Sequence, residues 1–75
     1  MTKVIFQPSK LAALSLRARE VLESQAGHDP AIQYMTLRNL PLTADTYVAI
    51  SGVERDYFDE EDQELLRALD EYAAA

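Results

Sequence analysis

The absence of cysteine from a chain of only 75 residues is the strongest constraint on what it can fold into. A small domain buries a modest share of its surface, and without disulfides it depends on one well-packed apolar core. Thiolate metal sites are excluded together with the disulfides. The sequence therefore predicts one small domain over residues 1–75, and the lack of disulfides favours a reducing compartment, the cytoplasm.

The apolar runs of the chain are short. None exceeds four residues, as at 4–6 and 11–14, whereas a membrane-spanning helix needs roughly 20 apolar residues. The first residues also lack the longer apolar stretch and cleavage site of a signal peptide. We therefore expect no association with a membrane.

The net charge of −6 is unevenly distributed. Residues 1–40 carry five basic and three acidic side chains, a charge of +2, and residues 41–75 carry two basic and ten acidic side chains, a charge of −8. A negative field opposes binding to nucleic acid, which normally requires clustered Lys and Arg, so we expect no direct contact with nucleic acid. The complementary halves and the small core predict a homo-oligomer; the alternative is that the first and last helices pair within one chain.

Two segments have clear helical periodicity. Residues 9–26 place apolar side chains at three- and four-residue spacing, with Ser9 as N-cap and Gly27 as the stop. Residues 60–74 follow Asp59 as N-cap, carry acids in the first turn, and place leucines on one side. Phe58 precedes this cap and is positioned to fold back as a hydrophobic staple.

The middle of the chain is ambiguous. Residues 32–38 and 46–51 have β-leaning composition, but Asp29 and Pro30 mark a helix start, and 39–41 (Asn-Leu-Pro) mark a stop. Thr43 and the three residues after it open a further helix, which Gly52 ends. The preferred fold class is mainly α, a small bundle of two long and two short helices. The alternative is an α+β fold, in which residues 4–6 pair with the two central runs in a three-stranded sheet that carries two helices.

Residues that could support chemistry are few. His28, the only histidine, lies in a predicted connection and is interpreted as solvated. The two glycines lack the surroundings of a phosphate-binding loop. The acidic run at 54–62 lacks the alternating ligands and glycine of an EF-hand-like loop, which indicates a helix start rich in acids. We therefore expect no enzymatic activity, no cofactor and no metal site.

The tyrosines divide into two groups. The spacing of Tyr34, Tyr47 and Tyr72 predicts that they lie in the core or at its edge. Tyr57 lies in the most charged stretch of the chain and is expected to be exposed. A ring surrounded by carboxylates can combine affinity with electrostatic steering. The predicted partner-binding residues are Asp56, Tyr57, Glu60, Glu61 and Glu64.

These features favour a small acidic interaction protein, such as an inhibitor, an antitoxin-like factor or an adaptor, that binds a basic surface of a protein partner. A partner's nucleic-acid-binding groove is one such surface. One alternative is a helix-turn-helix regulator built from residues 31–38 and 44–51, although the second segment has no Lys or Arg. The same features also fit a structural or accessory subunit of a larger assembly, or an acidic face that only maintains solubility.

Overall fold

A computed structural model describes residues 6–75. Within these residues the chain forms five α-helices and two short 3-10 helices, at Ala26–His28 and Arg55–Tyr57, and contains no strand. The prediction of a mainly α fold is confirmed, and the α+β alternative is not supported. Two positions of its proposed first strand, residues 4 and 5, lie outside the described residues. The α-helices are α1 (Pro8–Ala12), α2 (Leu16–Gln25), α3 (Pro30–Leu37), α4 (Ala44–Ser51) and α5 (Glu60–Ala74).

The sequence predicts one continuous helix over 9–26, and this prediction is wrong, because the helix is interrupted between α1 and α2. Ser15 has extended backbone angles and caps α2, with Oγ accepting a hydrogen bond from the Ala18 N–H at 3.2 Å. Its own N–H and Oγ both donate to the Glu71 carboxylate of α5, each at 3.1 Å. The N–H that would have continued the first helix is therefore satisfied by a distant side chain.

The predicted ends of this segment also shift. Helix α1 starts at Pro8, which occupies the first turn as proline often does, and its N-cap is Gln7 rather than Ser9. The Gln7 N–H donates to the Tyr72 hydroxyl at 3.0 Å. At the other end α2 stops at Gln25, and Gly27 lies inside the 3-10 helix that follows.

The two central helices begin and end at the predicted signals. The Asp29 carboxylate accepts from two backbone N–H groups at the start of α3, and Thr43 Oγ1 accepts from the Thr46 N–H at the start of α4. Asn39 ends α3 in the left-handed conformation at φ 57°, and Gly52 ends α4 at φ 68°. Local capping therefore prevails over the β propensity of these segments.

The core lies around α5, which packs against α2 and α4, while α3 packs on α4. Tyr47 and Tyr72 are buried as predicted, but Tyr34 is 44% exposed, so the prediction that it lies in the core or at its edge is wrong. Helix α3 turns Ile32 and Met35 to the core, which leaves Tyr34 on the outer side with the Arg38 guanidinium 5.5 Å from its ring centre. The largest fully buried side chains are Leu22, Ile32, Met35, Leu65, Leu66 and Leu69.

The oppositely charged halves meet within the chain. Helix α2 lies against α5, and the Arg17 guanidinium pairs with the Glu64 carboxylate across their contact. The intramolecular pairing that the sequence left open is therefore present. Among residues 6–75, every helix is too short or too polar to cross a membrane.

Candidate partner-binding surface

The surface predicted from the sequence begins in the connection between α4 and α5. After Gly52 ends α4, the chain forms the 3-10 helix Arg55–Tyr57 and enters α5 through Asp59. The Tyr57 N–H donates to the Glu54 carbonyl at 3.0 Å, and the Phe58 N–H donates to the Arg55 carbonyl at 3.3 Å. The backbone that carries Tyr57 is thus a hydrogen-bonded turn.

Two contacts hold this turn against α5. The Arg55 guanidinium donates to the Asp70 carboxylate at 2.5 Å, and this hydrogen bond raises the pKa of Arg55. The Gln63 side-chain amide donates to the Arg55 carbonyl. Both partners lie on α5, so the start of the turn is fixed to the longest helix of the molecule.

The end of the turn is held by aromatic packing. The half-buried Phe58 contacts the Tyr47 ring of α4, with ring centres 5.8 Å apart. The Tyr47 hydroxyl in turn donates to the Asp29 carboxylate at 2.7 Å. Burial is the largest cause of the raised pKa of Tyr47, and this hydrogen bond is the second. The hydroxyl therefore stays protonated and available as a donor. The residues on both sides of Tyr57 are therefore attached to the body of the protein.

Tyr57 itself points into solvent, with 78% of its surface exposed. Asp56, Glu60 and Glu61 are exposed beside it in the chain. We call these four residues the Tyr57 surface. The first turn of α5 also carries Asp62. Burial, together with the nearby carboxylates of Asp59 and Asp29, raises the pKa of Asp62.

Glu64, the fifth predicted residue, has a different setting. Its side chain is 33% exposed and its carboxylate pairs with Arg17 of α2. Arg17 also lies 4.0 Å from Glu20. The structure therefore leaves four of the five predicted residues exposed in the turn before α5 and in its first turn, and it directs Glu64 towards α2.

Glu64 borders an open groove of about 320 Å³ between α2 and α5. Its walls carry two basic and two acidic side chains, but these are largely engaged, because Arg17 pairs with Glu64 and Ser15 donates twice to Glu71. The side chains of the groove thus serve mainly to hold α2 against α5. Arg67 is the remaining charged side chain of its wall.

The residues that hold the turn, Arg55, Gln63 and Asp70, were not identified from the sequence. The one available signal was that Arg55 is the only basic residue in an acidic run, which indicates an acidic neighbour. The exposed apolar residues of α3 were also missed. Nothing in the sequence pattern distinguished the outer side of this helix from its inner side.

The remaining features considered from the sequence are His28, a metal site and the pair of central helices. His28 is exposed at the end of the first 3-10 helix. Within residues 6–75, no group of three or more His, Asp or Glu side chains is arranged to hold a metal ion. Helices α3 and α4 are joined by residues 38–43, and α4 carries Asp45 as its only charged residue.

No protein-family model, curated protein or solved structure matches this chain at a significant level. The Tyr57 surface therefore has to be interpreted from its own residues and contacts.

Proposed function

We propose that this chain is a small acidic interaction protein, an inhibitor, antitoxin-like factor or adaptor of the cytoplasm, that binds a protein partner through the Tyr57 surface. The observation that carries the proposal is Tyr57, 78% exposed on a turn whose flanking residues are fixed to the protein. Arg55 is held by Asp70, and Phe58 by Tyr47. The protein acts by binding, without catalysis.

A fixed exposed tyrosine is well suited to be the centre of an interface. Tyrosine is enriched among the few residues that dominate binding energy, because its ring offers a large amphipathic contact. Ordering a flexible loop on binding has a cost in entropy, and a turn that is already held avoids much of it. The ring can therefore contribute most of its contact energy to affinity.

The carboxylates around the ring select the class of partner. Asp56, Glu60 and Glu61 are exposed and belong to the half of the chain with a charge of −8. Such a field attracts a basic surface and speeds encounter with it. We propose a partner with clustered Lys and Arg around an apolar pocket, and the nucleic-acid-binding groove of another protein meets this description.

The simpler hypothesis is that the acids only keep the protein soluble. Solubility is served by charges alone and does not require an exposed aromatic residue. It also gives no reason to hold the turn by Arg55, Gln63 and Phe58. The attachment of the turn on both sides of Tyr57 supports the binding surface over the solubility face.

Photo-crosslinking in an extract of the native cells tests this proposal. A photoreactive phenylalanine analogue replaces Tyr57 in one variant and Leu16 in the control; Leu16 lies on α2 and is 67% exposed, close to the value for Tyr57. We expect position 57, but not position 16, to crosslink to a protein with a basic surface. Added duplex DNA should suppress the crosslink if that surface is a nucleic-acid-binding groove. Equal crosslinking from both positions, or none from 57, contradicts the proposal.

The captured partner then allows the roles of ring and charges to be separated. Tyr57→Ala should weaken binding by about 2 kcal/mol or more, roughly 30-fold, mainly through faster dissociation. Charge reversal at Glu60 and Glu61 should mainly slow association and reduce its dependence on salt. Glu64 takes part less, because its carboxylate is paired with Arg17. Thermal melts of the free variants show that each remains folded.

A further inference from the structure

A second surface lies on the outer side of α3 and the turn that follows it. Tyr34, Leu37 and Leu40 are 44%, 69% and 36% exposed. Three of the six large apolar side chains that are exposed among the described residues thus fall within seven positions of the chain. We call these three residues the α3 face.

Helix α3 carries apolar side chains on its inner side and also on part of its outer side. Its inner side carries Ile32 and Met35, both with 0% exposure, and its outer side carries Tyr34 and Leu37. Surface helices of globular proteins usually have a polar outer side, and helices that are apolar all round are usually buried. The outer side of α3 therefore indicates a contact beyond the single chain.

Charge restricts what covers this face. Residues 30–44 contain Arg38 as their only charged residue, whereas the other 19 charged side chains lie elsewhere in the sequence. A lone cation gives little attraction for nucleic acid, and the net charge of −6 opposes approach to an anionic membrane. A neutral apolar surface is best covered by another neutral apolar surface, and the α3 face of a second copy is one.

Contact through the α3 face also minimises repulsion between two copies. Each copy carries 13 carboxylates, and none of them lies in residues 30–44. Leu37 is the most exposed of the three side chains and lies between the other two in the chain. A twofold axis at Leu37 therefore sets this side chain against its own copy.

We infer that the α3 face binds a second copy of this chain in a symmetric homodimer, with the twofold axis close to Leu37. Twofold dimers, in which the same patch is used by both subunits, are the commonest oligomers of soluble proteins. The Arg38 guanidinium, the one charged group of residues 30–44, lies over the Tyr34 ring, 5.5 Å from its centre. The dimer uses no residue of the Tyr57 surface.

This dimer differs from one formed by attraction between the two charged halves. Those halves already meet inside the chain, where Arg17 pairs with Glu64 and Ser15 donates to Glu71. Within the single chain the Arg38 guanidinium lies over the Tyr34 ring, while Leu37 and Leu40 of the α3 face stay exposed. Self-association predicted from the sequence thus acquires a different physical basis.

Sedimentation velocity over a concentration series tests the dimer with the purified protein. We compare the unmodified chain with Leu37→Glu and with the control Leu16→Glu, which places the same charge at a side chain of matched exposure, 67% against 69%, on α2. We expect a monomer–dimer equilibrium whose dissociation constant rises at least tenfold with Leu37→Glu and stays unchanged with Leu16→Glu. A monomer at every concentration, or equal weakening by both variants, overturns the inference.

A mixing experiment tests the position of the axis. If Leu37 meets its own copy across the twofold axis, Leu37→Glu and Leu37→Lys should each be mainly monomeric alone and should form a heterodimer when mixed, because the new charges then attract. An asymmetric contact brings position 37 against a different residue and gives no such recovery. Lack of recovery in the mixture therefore overturns the symmetric arrangement. Circular dichroism of each variant confirms that it is folded.

Neither experiment involves the partner of the Tyr57 surface. The dimer and the proposed function can therefore fail independently.

Discussion

At the scale of single residues, Asp29 connects three parts of the fold. Its Oδ1 accepts from the N–H groups of Ala31 and Ile32, at 2.9 and 3.2 Å, and so caps α3. Its Oδ2 accepts from the Tyr47 hydroxyl of α4 at 2.7 Å. Because the Tyr47 ring contacts Phe58, one carboxylate links the start of α3, the body of α4 and the turn that carries Tyr57.

The first prediction concerns this link. Tyr47→Phe keeps the ring against Phe58 but removes the donor to a charged carboxylate, a hydrogen bond of a kind worth about 1.5 to 3 kcal/mol. We expect the free energy of unfolding in urea to fall by about that amount. Tyr57→Phe removes a hydroxyl from a ring that is exposed and serves as the control, with a change within about 0.5 kcal/mol. Equal effects of the two substitutions would contradict the assigned role of the Tyr47 hydroxyl.

At the scale of helices, the sequence predicted the helix ends that depend on adjacent residues. The ends of α3 and α4 follow from Asp29, Asn39, Thr43 and Gly52, because caps and left-handed turns act on the neighbouring backbone. The break before α2 depends on Glu71, which lies 56 positions from Ser15 and binds its N–H. Periodicity alone could not reveal that contact.

The same distinction applies to the candidate surface. The exposure of Tyr57 and its acidic neighbours could be predicted because dense local charge opposes burial. The support of the turn could not, since Arg55 and Asp70 are 15 positions apart and meet only when the 3-10 helix packs on α5. The exposure of Tyr34 was mispredicted because an apolar helix does not indicate in its sequence which side meets the core.

The second prediction uses the two glycines as a matched pair. Gly52 has φ +68°, a conformation that is strained for other residues, whereas Gly27 lies in a 3-10 helix and a methyl group added there meets nothing within 4 Å. Gly52→Ala should destabilise the protein by about 1 kcal/mol. Gly27→Ala should stabilise it by about 0.4 to 1 kcal/mol, because the unfolded chain loses freedom. Thermal or urea unfolding of both variants measures the two signs, and shifts in the same direction would contradict the helix ends described above.

At the scale of the whole molecule, the dominant feature is a small core beneath an excess of negative charge. A chain of 75 residues is expected to be stable by only about 4 to 11 kcal/mol. Among the described residues, Arg55 and Arg17 pair with Asp70, Glu64 and Glu20. Most of the 13 carboxylates have no such partner within residues 6–75, so like-charge repulsion opposes the compact state.

The third prediction is therefore that salt stabilises the folded protein. Repulsion acts over about 30 Å at 0.01 M salt but only about 8 Å at 0.15 M, so added NaCl weakens it. We expect a gain of about 1 kcal/mol between these concentrations, which corresponds to roughly 4 to 8 °C in melting temperature for a domain of this size. The ion pairs are weakened by the same screening, but they are few and largely exposed.

The source of the repulsion can be located with a matched pair of variants. Replacing Glu60 and Glu61 together by Gln removes charge from the most acidic part of the chain and should flatten the dependence of melting temperature on NaCl. Glu20 and Glu23 replaced together by Gln remove the same charge from α2, in the basic half of the sequence, and should leave that dependence largely unchanged. Scanning calorimetry at both salt concentrations, at protein concentrations where the chain is monomeric, measures the two slopes. A melting temperature that falls with added salt would contradict this prediction, because it would show that the ion pairs outweigh the repulsion. The acids at the start of α5 would then stabilise the folded protein by attraction rather than destabilise it by repulsion.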